Sequence, residues 1–259
     1  MCSSDLPQTP NPKPQTPNPK PHLILIFTFH VMDGLKVLCF HGFGTSSEFM
    51  KWQLRTWLEK FPKTTFIFYD GYTSFSAEYT EDDYMIKFHK DKPVWDNFSH
   101  YSLENLWHKD AKYGVEIDFA KETHKISKLI EDNGGIDGII AFSQGTLMTE
   151  FFISHMELGL LNGVLKSEHR PYFVVLLCPH SGFVNSRQFS IPVFMMFGNV
   201  DTITEICFMH LMRYQNTRYT YFEGDHRPPR LGTRLYSMLC LFVEEFEPHK
   251  KSIAKRSSS

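Results

Sequence analysis

From Leu35 to Phe246 two hydrophobic patterns alternate along the chain. Short, nearly unbroken apolar runs rich in β-branched and aromatic residues read as buried strands. They cover Leu35 to His41, Thr64 to Asp70, Ile136 to Phe142, Tyr172 to Cys178, Ile191 to Phe197 and Thr217 to Phe222. Helical spacing appears between them. Phe49, Trp52, Trp57, Leu58 and Phe61 recur behind a capping-box signature, Thr45-x-x-Glu48. Phe119 to Glu131 reads as a helix closed by Asn133-Gly134-Gly135. Gln144 to His155 and Arg230 to Phe246 read as two more.

Strand and helix in alternation predict an α/β protein: a mostly parallel, doubly wound sheet with helices on both faces. Ligands of such sheets bind beyond the carboxyl ends of the strands. Chemistry is therefore to be sought just after His41, Asp70, Phe142, Phe197 and Phe222. Gly71 to Tyr113 breaks the alternation, with acidic residues early (Glu78, Glu81, Asp82, Asp83) and aromatic residues throughout. An insertion after a strand end is placed to form a lid or a pocket wall. Its bland counterpart is a surface excursion packing its aromatics on the body.

The pattern assigns residues 33–248 to one domain between two tails. Pro7 to Lys20 writes PQTPNPK twice, which favours a disordered, polyproline-like tail offering at most a weak PxxP-type site to a partner. His22 to Met32 is apolar but falls short of the roughly 20 residues that span a bilayer, and no small-x-small cleavage site follows. No stable membrane span is expected. His249 to Ser259 is basic and polar and reads as a disordered tail.

Composition narrows the classes. A net charge of -2 over 259 residues, with no basic patch interleaved with aromatics, argues against nucleic acid as a partner. Five cysteines, an odd number spread without a CxxC pair, point to a reducing, cytoplasmic compartment. The sequon at Asn97 would matter only after secretion. Thirteen histidines show no HExxH or Cys/His ligand spacing, so no metal site is expected.

The strand from Ile136 runs into Ala141-Phe142-Ser143-Gln144-Gly145 and then into a helix. This is the form of a nucleophile elbow, which lifts a serine hydroxyl clear of the sheet on a tight strand-to-helix turn. Ala141 replaces the first glycine of that motif, and Gly145 keeps the second. An acyl-transfer serine also needs a base, an orienting acid and oxyanion donors. Asp201 and His226 follow later strands, on the same rim, in the order nucleophile, acid, histidine. Asp225 is a rival acid, but adjacent loop residues rarely aim at each other. The glycines of His41-Gly42-Phe43-Gly44 let the backbone turn an amide, that of Phe43, toward the pocket. The second oxyanion donor is the amide of Gln144 at the head of the nucleophile helix.

These residues together resemble the FSH family of serine hydrolases within the α/β-hydrolase fold. The resemblance rests on LKVLCFHGFGTSSEFM from Leu35, FIFYDG from Phe66, AFSQG from Ala141, Ser181-Gly182-Phe183, FGNVD to Asp201 and FEGDHRPP around His226. Departures are Ala141, Asp225 where a second glycine is usual, and the region from Tyr72 to Lys92. The resemblance implies cofactor-free cleavage of small carboxylic esters, of acyl chains in particular, with Ser143, His226 and Asp201 as the catalytic triad. Two alternatives are an acyl thioesterase or lysophospholipase on the same fold, and a catalytically silent hydrolase fold that serves as a binding protein.

Overall fold

The computed structural model describes residues 31–42, 45–71, 73–75, 98–100, 119–180, 188–204 and 208–257. Six parallel strands form one sheet: β1 (Lys36–Phe40), β2 (Thr65–Tyr69), β5 (Gly138–Phe142), β6 (Phe173–Leu177), β7 (Val193–Gly198) and β8 (Thr217–Phe222), in the order β2-β1-β5-β6-β7-β8. Successive side chains of a strand point to opposite faces, and this sheet is covered on both. Leu38, Phe40, Ile139, Ala141, Val174 and Leu176 face one core with Ile126, Ile130, Leu147, Met148 and Phe152. Those last five come from α3 (Phe119–Asp132) and α4 (Gly145–Glu157). Val37, Cys39, Ile140, Phe142, Val175 and Leu177 face the other. There α1 (Ser47–Gln53), α2 (Arg55–Lys60) and α5 (Thr233–Ser257) supply Met50, Trp57, Leu239, Phe242 and Val243. Burial on both faces explains why the central strands read as continuous apolar runs.

The chain leaves β1 toward β2 on one side and returns to β5 on the other. The crevice at the carboxyl ends of β1 and β5 is therefore the topological switch point, where doubly wound sheets hold their ligands. It is bordered by His41 after β1 and Ser143 after β5.

Four expectations are corrected. The helix after β1 is capped by Ser46, whose hydroxyl accepts the Phe49 N–H at 3.3 Å, while the Thr45 hydroxyl donates to the Gly42 carbonyl at 2.8 Å. Three hydroxyl residues in succession leave the cap's register open in the sequence. The apolar run from Phe49 to Phe61 is two short helices joined at Leu54 rather than one. Met32 is already core, 1% exposed, and its carbonyl accepts the Thr64 hydroxyl at 2.6 Å, so packing begins before Asp33. Residues 249–257, read as a loose tail, continue α5 to Ser257.

Of the insertion, β3 (Thr73–Phe75) and β4 (Phe98–His100) pair antiparallel as a separate two-stranded sheet. The lid reading, the proline-rich repeat and the Ser-Gly-Phe piece lie outside the described residues. Among the described residues no helix is long and apolar enough to cross a membrane.

Candidate active site

Ser143 follows β5 with φ at 49°, in the left-handed region where a residue bearing a Cβ is strained. Such a conformation costs about 1–3 kcal/mol and persists only where its surroundings enforce it. Here the enforcement is visible. The Ser143 N–H donates to the Leu177 carbonyl at 3.0 Å, and the Thr146 hydroxyl donates to the Ser143 carbonyl at 2.6 Å. The turn also presses α4 against β1. A Cβ on Gly145 would stand 2.6 Å from the His41 carbonyl oxygen and 2.7 Å from that of Phe40, so only glycine fits. Ala141 sits fully buried between Phe40 and Leu176, and its methyl is part of the core.

Asp201, His226 and Ser143 lie on one hydrogen-bonded line. His226 Nδ1 is 2.8 Å from Asp201 Oδ2, and Nε2 is 2.7 Å from Ser143 Oγ. The tautomer with the proton on Nδ1 satisfies both contacts: Nδ1–H donates to the carboxylate, and Nε2 accepts from the hydroxyl. The Asp201 side chain is 1% exposed and the imidazole 29%, so the acid is shielded while the histidine borders solvent. Asp201 Oδ1 accepts the Ile203 N–H at 3.0 Å, which fixes the carboxylate's orientation. Asp225 does not reach the imidazole; its carboxylate pairs with Arg227 at 2.9 Å.

The loops after β7 and β8 are joined to each other. Asn199 Oδ1 accepts the Gly224 N–H at 3.1 Å, the Val200 N–H donates to the Gly224 carbonyl at 3.2 Å, and the Asn199 N–H to the Phe222 carbonyl at 3.0 Å. His41, buried after β1, takes a scaffolding position. Its Nε2 accepts the Gly71 N–H at 3.2 Å, and its Nδ1 lies 2.8 Å from the Gly42 carbonyl, linking the ends of β1 and β2. Of the two expected oxyanion donors, Gln144 heads α4 beside Ser143 with φ at -58°. Phe43 lies outside the described residues.

In the sequence Cys178 has no role beyond its place among five scattered cysteines. It follows β6 with φ at 43°, and its thiol points at the Arg227 carbonyl, 3.5 Å away, behind the histidine loop. Nothing in an apolar run ending Leu-Cys-Pro signals that position. Ligand-type atoms of Cys178, Asp201 and His226 all lie within 4.8 Å of one another. Burial first, and the Asp201 carboxylate second, push the thiol well above its ordinary value, which disfavours the thiolate a metal would need. The arrangement suits proton sharing between His226 and its two partners better than a cation.

Comparison with known proteins gives the chemistry a family. An esterase from Caenorhabditis elegans, C25G4.2, is 25% identical over 173 residues, covering 65% of this chain and 73% of that protein. The hydrolase phiM of a fungal species is 31% identical over 127 residues, 46% of each chain. Among solved structures, a carboxylesterase from Mesorhizobium loti aligns over 82% of this chain and 89% of its own, at 10% identity and a TM-score of 0.48. Residues 32–235 match the family described as serine hydrolase (FSH1), which spans the sheet and all three of Ser143, Asp201 and His226; the chain belongs to that family.

Proposed function

We propose that this serine hydrolase cleaves carboxylic esters, acyl esters in particular, through an acyl-enzyme formed on Ser143. The single observation that carries the reading is the line from Asp201 through His226 to Ser143, with both contacts under 3 Å. In this reading His226 Nε2 takes the Ser143 proton as Oγ attacks the ester carbonyl. Asp201 holds the Nδ1 proton and stabilises the imidazolium. The tetrahedral oxyanion is met by the amide of Gln144 at the head of α4 and by that of Phe43. His226 then passes the proton to the departing alcohol, and a water activated the same way releases the acid. The strained turn at Ser143 supports the assignment, because backbone strain of this kind clusters at active sites. Buried free thiols at Cys39, Cys178 and Cys240 support a reducing compartment, the cytoplasm, as the place of work.

The test is labelling by a fluorophosphonate probe together with hydrolysis of a neutral nitrophenyl ester. Wild type is expected to label and turn over, and Ser143→Ala to do neither. Equal labelling of both proteins would remove Ser143 from the role.

A further inference from the structure

A cavity of about 860 Å³ opens beside the histidine loop, between α1, the loops after β7 and β8, and the first turn of α5. Four arginines line it, Arg55, Arg227, Arg230 and Arg234, against two carboxylates, Glu223 and Asp225. Arg227 is taken up by Asp225, and Arg55 is held by the Trp52 carbonyl at 3.0 Å with its guanidinium 4.6 Å over the Trp52 ring. Arg230 and Arg234 are exposed, and among the described residues neither has a carboxylate within ion-pair distance.

The start of α5 adds to this field. Its first intrahelical bond runs from the Tyr236 N–H to the Gly232 carbonyl, so the amides of Thr233, Arg234 and Leu235 precede any partner within the helix. All three residues line the cavity. A helix start favours acidic side chains, yet this first turn contains none and carries Arg234 instead. Cations on a positive helix end oppose the dipole, and a bound anion converts that repulsion into attraction. The segment is also held in place. The Trp57 indole donates to the Pro229 carbonyl at 2.9 Å, and the Leu231 N–H donates to the Thr56 hydroxyl at 3.2 Å.

The cavity's place beside the histidine loop points to the half of a substrate it serves. Its lining includes Asp225 and Arg227, the residues on either side of His226. In the esterase mechanism the histidine gives its proton to the leaving group, which therefore lies against the imidazole. We propose that this cavity binds a phosphate or diphosphate carried on the alcohol or thiol half of the substrate. The substrate class is then an acyl ester or thioester with a phosphorylated leaving group. The inference rests on the serine-hydrolase reading of Ser143. No phosphorus–oxygen bond breaks; the anion is held while the acyl group moves to Ser143 and then to water.

Two arms test it. The first compares butyryl-coenzyme A, whose thiol half carries a diphosphate and a further phosphate, with S-butyryl-N-acetylcysteamine, the same thioester without them. At low salt kcat/KM for the coenzyme A ester is expected to exceed the other by about tenfold or more, falling as salt screens the arginines. In R230A/R234A that ratio is expected to collapse toward one; being internal to each protein, it cancels any general loss of activity. The second arm titrates inorganic pyrophosphate into Ser143→Ala by calorimetry, with one site expected that disappears when R230A/R234A is added.

A ratio near one in wild type, or a ratio unchanged in the double variant, overturns the proposal. Pyrophosphate binding combined with a ratio near one makes the cavity a site for a free anion and removes the substrate assignment. Absence of pyrophosphate binding, with neutral ester still hydrolysed, refutes the anion site and leaves the esterase reading standing. A protein that hydrolyses none of these compounds loses the leaving-group assignment with the esterase reading, and the titration still decides whether the cavity takes the anion.

Discussion

Gly198 and Asp225 meet backbone to backbone: a Cβ on Gly198 would stand 2.6 Å from the Asp225 carbonyl oxygen. The Gly224 carbonyl would be as near, and the Asp201 Cβ 3.2 Å away. Gly198 ends β7, and Asp225 precedes His226, so this close approach sets the acid and the histidine at hydrogen-bonding distance. Backbone cannot swing aside as a side chain can. Gly198→Ala is therefore expected to push the two loops apart. Overpacking of this kind costs about 1–3 kcal/mol of stability. Displacement of the imidazole by about 1 Å costs on the order of a hundredfold in kcat/KM. Urea unfolding and neutral-ester kinetics on one preparation check both; wild-type turnover in the variant would show that the approach does not position His226.

The two aspartates beside His226 should separate cleanly. Asp201 accepts from the imidazole with its side chain buried, whereas Asp225 pairs with Arg227, both about half exposed. Replacing the acid that holds the tautomer costs on the order of 10⁴ in kcat in serine hydrolases of the triad type. Asp201→Asn is expected to fall by a comparable factor. Asp225→Asn removes only a solvent-exposed ion pair and is expected to stay within about threefold of wild type. Retained activity in Asp201→Asn with loss in Asp225→Asn would exchange their roles.

Much of this architecture is legible in the sequence. The four central strands are legible because both of their faces are buried, which leaves runs such as Phe173–Leu177 with no polar position, whereas the edge strands β2 and β8 are only partly covered. The elbow was legible because Gly145 and the strand before Ser143 are local requirements, adjacent in sequence. Chain order and strand ends single out Asp201 and His226, which the structure brings onto one hydrogen-bonded line with Ser143. What depends on distant packing was not legible. Arg55 and the Arg227–Arg234 segment become neighbours only when Trp57 and Thr56 pin the histidine loop, contacts spanning more than 170 residues. Cys178 looked like any thiol in an apolar run until its left-handed φ and its contact with Arg227 set it behind His226. The end of α5 was missed because a polar, basic composition suits a helix terminus as well as a tail.

That thiol makes a prediction about reactivity. Burial, reinforced by the Asp201 carboxylate, raises Cys178 well above its ordinary value, so the nucleophilic thiolate is populated only at pH far above neutrality. Cys240, pushed up to about 12 by burial, behaves alike. Iodoacetamide at pH 7.5 is expected to leave both unmodified in the folded protein and to alkylate both in urea, read by peptide mass spectrometry. Rapid labelling of native Cys178 would mean that the loop carrying His226 opens on the labelling timescale.

The largest stability effect away from the elbow is expected at Glu150 on α4. Its Oε1 meets His210 Nδ1 at 2.6 Å, and its Oε2 accepts from Arg213 at 2.5 Å, with Glu150 and His210 almost wholly buried. His210 Nε2 lies 2.7 Å from the His180 carbonyl, and the His180 N–H donates to Thr146, the residue that braces Ser143. The cluster thus ties the segment after β6 to the first turn of the elbow helix. Removing the carboxylate leaves a guanidinium and an imidazole without their acceptor in a buried site, which costs about 3–5 kcal/mol. Glu150→Ala is expected to lose that much in urea unfolding, and Glu150→Gln less, because the amide oxygen still accepts one of the two bonds. Removing the exposed Lys128–Asp132 pair of α3, by contrast, should leave the midpoint unchanged. If Glu150→Ala unfolded at the wild-type midpoint, water or a rearranged partner would have to satisfy Arg213 and His210, and the cluster would not be what holds the segment after β6 against the elbow.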